Sequence, residues 1–256
     1  MLLVFDIGNT NTVMGIYDGR ELLKEWRLTS KKQTSDEVGF MLLGLLSSAG
    51  IAKEDIKGAV FGSVVPSLDE TFREGVREYI GVDCLRVSTR MDTGLKIKMK
   101  NPTGLGADRL LNAVSGIKKY GVPLIIVDLG TAITFDVISQ EGAYVGGVIA
   151  PGMELGMESL FARTAKLPQI ELAAPASVIG GNTIEAIQSG IVYGTVGMVE
   201  KVIEGISKEL GTKCRVVATG GHAPIIAKHS DCIDSVDQWL TLDGLRIYYE
   251  RNCAGK

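Results

Sequence analysis

In VFDIGNTNT (residues 4–12) an apolar run ends on an acid, a glycine and short polar side chains, and IVDLGTAIT (126–134) repeats that layout nearly half the chain later. Aligning Asp6 with Asp128 also pairs Gly8 with Gly130 and Thr12 with Thr134. An acid at a strand end followed by glycine presents backbone N–H groups in a tight turn, where a bulky side chain would block a phosphate. Asn9, Thr10, Thr131 and Thr134 add neutral donors. Two such turns facing each other would hold a polyphosphate from both sides. Asp6 and Asp128 would take Mg²⁺ directly or through its water shell, because Mg²⁺ prefers carboxylates plus retained waters.

Other phosphate-binding phrases fail on spacing. There is no GxxxxGK[ST], and GLGADR (104–109) lacks the third glycine of GxGxxG and follows no convincing strand. A third glycine-rich turn, ATGGHAP (218–224), ends a strand and opens a short helix. Its backbone at Gly220 and Gly221 can pack against a nucleoside, or it is an ordinary strand-to-helix turn.

The elements that would position these turns also come in two copies. After the first turn, TVMGIYDG and ELLKEWRL read as two strands around an Asp-Gly turn; after the second, TFDVISQEG and AYVGGVIAPG read the same way. Ser35 is placed to cap a helix through about Ala49 with Gly50 as its stop, followed by a buried strand in GAVFGSVV and a helix over 67–80. In the second half a long helix over about 182–209 precedes the strand CRVVATGG. Meander, helix, strand and helix given twice is a duplicated α/β plan. The expected domains are 1–115 and 116–256, with the ligand in the cleft between them.

Composition narrows the function. Twenty-seven basic against 30 acidic residues leave a net charge of −3 without a basic stripe, so nucleic acid is not an expected partner. No apolar run approaches the roughly 18 residues of a membrane helix and the N-terminus carries no leader pattern, so the expected setting is cytoplasmic, away from membranes. The four cysteines, at 84, 214, 232 and 253, form no CxxC pair and read as reduced thiols; His222 and His229 lack metal-ligand spacing.

DIGNTNT, DLGTAIT and TGG resemble the two phosphate motifs and the adenosine motif of the acetate kinase, sugar kinase, Hsp70 and actin superfamily, whose members close two ribonuclease-H-like domains on ATP. Within it the chain resembles the type III pantothenate kinases. NPTGLGADR (101–109), GGVIAPG (146–152), TAKLP (164–168), GGNTIEAIQSGIVYG (180–194) and LTLDGLRIYYERN (240–252) are similar to that family's motifs, in its order. The resemblance implies ATP-dependent phosphorylation of pantothenate to 4′-phosphopantothenate, the first step of coenzyme A synthesis. It extends the phosphate-binding set to Asn11 and Thr12, and implies a monovalent cation, K⁺ or NH₄⁺, at Asp128 beside Mg²⁺. The absence of a lysine from either turn leaves charge balance to cations.

For the acceptor, the resemblance makes Asp108 the general base, Arg109 a clamp for pantothenate's carboxylate, Gly106 with Ala107 a substrate contact, and Thr183 a pocket residue at a homodimer interface. Read without it, Asp108 is an acid favoured by a helix N-terminus, Arg109 a surface charge and Thr183 an early helix residue. Met99 stands where many relatives carry tyrosine, so a phenol donor to the substrate is missing. That leaves two alternatives: a kinase for another small hydroxy acid, or a non-catalytic transcription accessory protein on the same ATP-binding scaffold. Gly190, Gly194 and Gly197, spaced along an apolar-striped helix, would let a second copy of the chain approach closely.

Overall fold

The computed structural model describes residues 1–163 and 170–253, so the TAKLP motif at 164–168 lies outside the described residues. The chain opens with an antiparallel meander, β1 (Leu2–Ile7), β2 (Asn11–Asp18) and β3 (Glu21–Thr29). Helix α1 (Ser35–Ser48) follows, then β4 (Gly58–Ser63), α2 (Pro66–Gly75) and the short strand β5 (Cys84–Arg86). The resulting sheet has the order β3-β2-β1-β4-β5, with β4 parallel to both β1 and β5.

Side chains alternate across this sheet. Leu3, Phe5 and Ile7 enter a core with Val38, Leu42, Leu46, Leu68 and Phe72, all buried. At about 1.5–3 kcal/mol for each fully buried large apolar side chain, that face is the main stabilising contact of the unit. Val4 and Asp6 take the opposite face. Thr34, one residue before the expected Ser35, caps α1: its hydroxyl accepts from Glu37 N–H at 3.2 Å, and the Glu37 carboxylate accepts from Thr34 N–H at 2.7 Å. A glutamate sits three residues after Thr34 but not after Ser35, so only the threonine completes the reciprocal pair. Helix α2 ends earlier than the expected 80, in a wider turn over Val76–Ile80 that stops at left-handed Gly81.

Strand β6 (Lys96–Ile97) and helix α3 (Ala107–Tyr120) lead into a second meander, β7 (Leu124–Leu129), β8 (Ala132–Ile138) and β9 (Ala143–Pro151). Then come α4 (Met153–Arg163), the long α5 (Thr183–Leu210), β10 (Arg215–Thr219), α6 (Ala223–Ala227) and β11 (Ser235–Val236). The second sheet runs β11-β10-β7-β8-β9-β6, and its core joins Ile125, Val127 and Leu129 to Val192, Val196, Val199 and Ile203 of α5.

The last helix, α7 (Leu240–Cys253), returns to the first sheet. One compact unit therefore comprises Met1–Leu95, Lys100–Ser115 and α7; the other comprises Lys96–Met99 and Gly116–Trp239. This differs from a division that keeps everything after 115 together. Gly15 and Gly244 explain the return: a Cβ on Gly15 would meet Leu242, and one on Gly244 would press into the Leu111 backbone. Both glycines thus admit close packing of α7 on the sheet and on α3.

Candidate active site

In the first turn Gly8 N–H donates to the Asn11 carbonyl at 3.0 Å, and a Cβ on Gly8 would lie 2.9 Å from that oxygen. Glycine is thus needed to close the turn. Asn9 and Thr10 are exposed at its tip, Asn11 is half-buried, and Ser30 N–H holds the tip by donating to the Thr10 carbonyl at 2.9 Å. Asp6 is half-buried and sits beside Val13 on β2 and Gly62 on β4. A Cβ on Gly62 would meet Leu111 and Ala107, so Asp6 shares a sheet face with the first turn of α3.

The second turn is one residue shorter. Asp6 pairs with Val13, whereas Asp128 pairs with Thr134; Ile7 pairs with Thr12, whereas Leu129 pairs with Ile133. The gapless alignment of Thr12 with Thr134 therefore does not hold in space. Thr12 is 1% exposed on the core face, and its hydroxyl lies 2.9 Å from that of Ser30; Thr134 stands beside Asp128. A one-residue slip in a period-two element exchanges the faces.

Around Asp128 the polypeptide is close-packed. Gly130 N–H donates to the Ala132 carbonyl at 3.1 Å, and Gly152 N–H to the Thr131 carbonyl at 3.1 Å. The third glycine-rich turn joins this group: Gly220, at φ +89°, has so little room that a Cβ would lie 2.5 Å from Asp128 Oδ1, and His222 N–H donates to the Leu129 carbonyl at 3.1 Å. Asp128, Gly130, Thr131, Thr134 and Gly220 thus form one cluster, with exposed Gly221 next in the chain. The buried Thr134 Oγ1 has no hydrogen-bond partner among the described residues. Such a hydroxyl fits a bound cation, water or phosphate oxygen. His222 Nε2 lies 3.4 Å from Glu154 Oε1. No group of three His, Cys, Asp or Glu among the described residues is arranged to hold a metal.

Gly106 immediately precedes α3, its carbonyl accepting from Leu110 N–H at 3.0 Å, and the Asp108 carboxylate folds back over it so closely that a Cβ there would collide with Oδ1. Asp108 and Arg109 are half-buried. Gly106 and Ala107 line a cavity of about 460 Å³ with Ser63, Arg86, Ser88 and Arg90, wholly within the first unit. Sequence reasoning missed the 86–90 segment. Its only local sign is the basic and hydroxyl content of RVSTR, which begins on the last residue of the three-residue strand β5 and continues into the loop after it.

Met99 is half-buried in the second unit, just past β6. Thr183 is the exposed first residue of α5, behind the cap Asn182, whose side-chain oxygen accepts from Glu185 N–H at 3.0 Å. Along α5, Val192, Val196, Val199 and Ile203 are buried. Gly190, Gly194 and Gly197 occupy an exposed face where an added Cβ would meet nothing within 4 Å.

Two mixed sheets, each opening on an antiparallel meander with an acidic turn, define the class: a duplicated ribonuclease-H-like fold of the sugar kinase and actin type. The same fold is seen in a Sinorhizobium meliloti protein assigned as a 2-dehydro-3-deoxygalactonokinase, at TM-score 0.61 and 12% identity, over 98% of this chain and 99% of that one. A conserved Campylobacter jejuni protein assigned to the Baf family of transcriptional activators matches at TM-score 0.60 and 20% identity, over 98% of each chain. The family model for type III pantothenate kinase matches residues 2–205. A type III pantothenate kinase of Geobacillus kaustophilus is 48% identical over 257 residues, covering all of both chains. The chain belongs to the type III pantothenate kinase family.

Proposed function

We propose that this protein transfers the γ-phosphoryl group of ATP to the hydroxyl of pantothenate, giving 4′-phosphopantothenate and ADP at the entry to coenzyme A synthesis. The observation that carries the reading is full-length identity of 48% to a curated type III pantothenate kinase, in a chain that keeps both acidic turns and the Gly106–Arg109 segment. Phosphoryl transfer through a loose transition state asks mainly for alignment and charge neutralisation. Asp108, held at the start of α3, accepts the hydroxyl proton as the hydroxyl oxygen bonds to the γ-phosphorus and the bond to the β,γ-bridging oxygen breaks. Arg109 suits the acceptor carboxylate, which a guanidinium grips with two parallel hydrogen bonds.

The phosphates are assigned to the backbone of the two turns: Gly8 to Asn11 in one, Gly130 and Thr131 in the other. Asp6, with Mg²⁺ and its waters, serves the first. Mg²⁺ supplies neutralisation of the charge on the transferred group. A monovalent cation, K⁺ or NH₄⁺, is assigned to Asp128, supported by the unpartnered Thr134 hydroxyl beside it and the lack of lysine in either turn. Thr12 contributes by securing the turn to Ser30, since its hydroxyl faces the core. Gly220 and Gly221 are assigned to the nucleoside side of ATP.

Purified protein given ATP, Mg²⁺, pantothenate and either K⁺ or NH₄⁺ is expected to release ADP and phosphopantothenate in equal amounts, with far slower release when Na⁺ is the only monovalent cation. Absence of both products under every cation condition rejects the assignment.

We further propose a homodimer built on the glycine face of α5, with Thr183 of each copy near the acceptor pocket. Three exposed glycines at helical spacing offer a flat surface that a second backbone can approach. Gly194→Arg is expected to convert a dimer into a monomer by sedimentation velocity while circular dichroism stays unchanged. A wild-type protein that sediments as a monomer at micromolar concentration overturns this reading.

A further inference from the structure

The cavity beside α3 is lined by two arginines, Arg86 and Arg90, and hydroxyls from Ser63, Ser88, Thr89 and Thr103, with no acidic residue among the described lining. The two cations differ in state. Arg86 is paired with Asp69 at 2.7 Å. The Arg90 guanidinium has no hydrogen-bond or ion-pair partner among the described residues, although its backbone is firmly placed: Arg90 N–H donates to Ser88 Oγ at 3.2 Å.

Ser88 itself is clamped by α7. Its N–H donates to Tyr248 Oη at 3.0 Å, and Tyr248 O–H donates to the Ser88 carbonyl at 2.9 Å. Beyond Arg90 the segment is fastened again: Arg251 Nε lies 2.9 Å from Asp92 Oδ2, and Asn252 Nδ2 donates to the Asp92 carbonyl at 2.9 Å. The nearest acid in sequence is therefore committed to α7. The hydrogen bond from Arg251, then that from Gly94 N–H, holds its carboxyl below the ordinary range. Arg90 is exposed on the cavity wall with its backbone fixed on both sides, so an anion bound there would displace only water from its guanidinium.

The lining points to the acceptor rather than to the phosphates: it includes Gly106 and Ala107, the two residues before Asp108, and none of the phosphate-turn residues Asp6 and Gly8 to Thr12. The volume, about 460 Å³, suits a small organic acid. We propose that Arg90 is a specificity-determining residue of the acceptor pocket that binds the acceptor's carboxylate, beside the role assigned to Arg109. This rests on the pantothenate-kinase reading above.

The test compares wild type, Arg90→Gln and Arg90→Lys on pantothenate and on its neutral carboxamide. Loss of a charge-assisted hydrogen bond is expected to raise the KM for pantothenate about 10- to 100-fold in Arg90→Gln. Little change is expected in kcat or in the KM for ATP, partial recovery in Arg90→Lys, and almost no effect on the carboxamide. An unchanged KM overturns the proposal. Equal losses on both acceptors do so as well, by showing a structural effect, and so does a fall in kcat at constant KM, by placing Arg90 on the phosphoryl group. Should wild type bind pantothenate without phosphorylating it, the functional reading fails, but calorimetric Kd values for the same variants and ligands still decide the role of Arg90.

Discussion

Asp108→Asn is expected to lower kcat by about 10²- to 10⁴-fold, the usual share of a positioned general base, while leaving ATP binding intact. Asparagine keeps the shape that folds back over Gly106 but cannot take the proton as the hydroxyl attacks. The same change removes a negative charge from the first turn of α3, where the helix dipole favours acids by about 0.3–1 kcal/mol. A modest drop in Tm is therefore expected alongside the kinetic loss. Steady-state ADP release together with nucleotide calorimetry separates the two effects. Turnover within a few-fold of wild type would remove Asp108 from the chemistry, and an accessory protein on this scaffold would keep its partner effect in the variant.

Gly152→Ala is expected to be nearly as damaging, through geometry alone. A Cβ at Gly152 would run into the carbonyl oxygens of both Gly130 and Thr131 and lie 2.8 Å from the Thr131 carbonyl carbon. Those atoms belong to the backbone of the second turn and cannot swing aside as a side chain would. Overpacking of this kind costs about 1–3 kcal/mol, and here any relief must displace the backbone next to Asp128. The expected result is a lower Tm and loss of the thermal shift given by ATP with Mg²⁺. Gly156→Ala is the control: its Cβ would make an ordinary 3.5 Å contact with Ile191 Cδ1 in the interior of α4. Alanine there favours the helix by up to about 1 kcal/mol. Equal thermal shifts in both variants would show that the second turn takes no part in nucleotide binding.

Much of this is legible in the sequence because the signals are local. The apolar runs and turn signals of the two meanders, the paired DxG phrases and the helical period of α5 each depend on a few adjacent residues. What was not legible depends on register or distance. The helix cap fell one residue from Ser35 because the partner glutamate counts from Thr34. Thr12 and Thr134 share a column in a gapless alignment, yet the shorter second turn sets them on opposite kinds of face, and only strand pairing reveals that. The allegiance of α7 to the first unit is decided by Gly15 and Gly244 touching residues remote in sequence. The wall containing Arg90 escaped because it is a three-residue strand and a loop, held by tyrosine, arginine and asparagine side chains from the far end of the chain.

That last dependence has a temporal side. A ribosome delivers about 5–20 residues per second, so the nascent first sheet waits on the order of ten seconds, while Gly116–Trp239 emerges, before the helix that covers one of its faces is even synthesised. During that interval Gly15 has no Leu242 against it, and the segment around Ser88 lacks its Tyr248 anchor. The N-terminal half is thus assembled early but sealed late, and its arginine-lined pocket takes its final form only once α7 has been made.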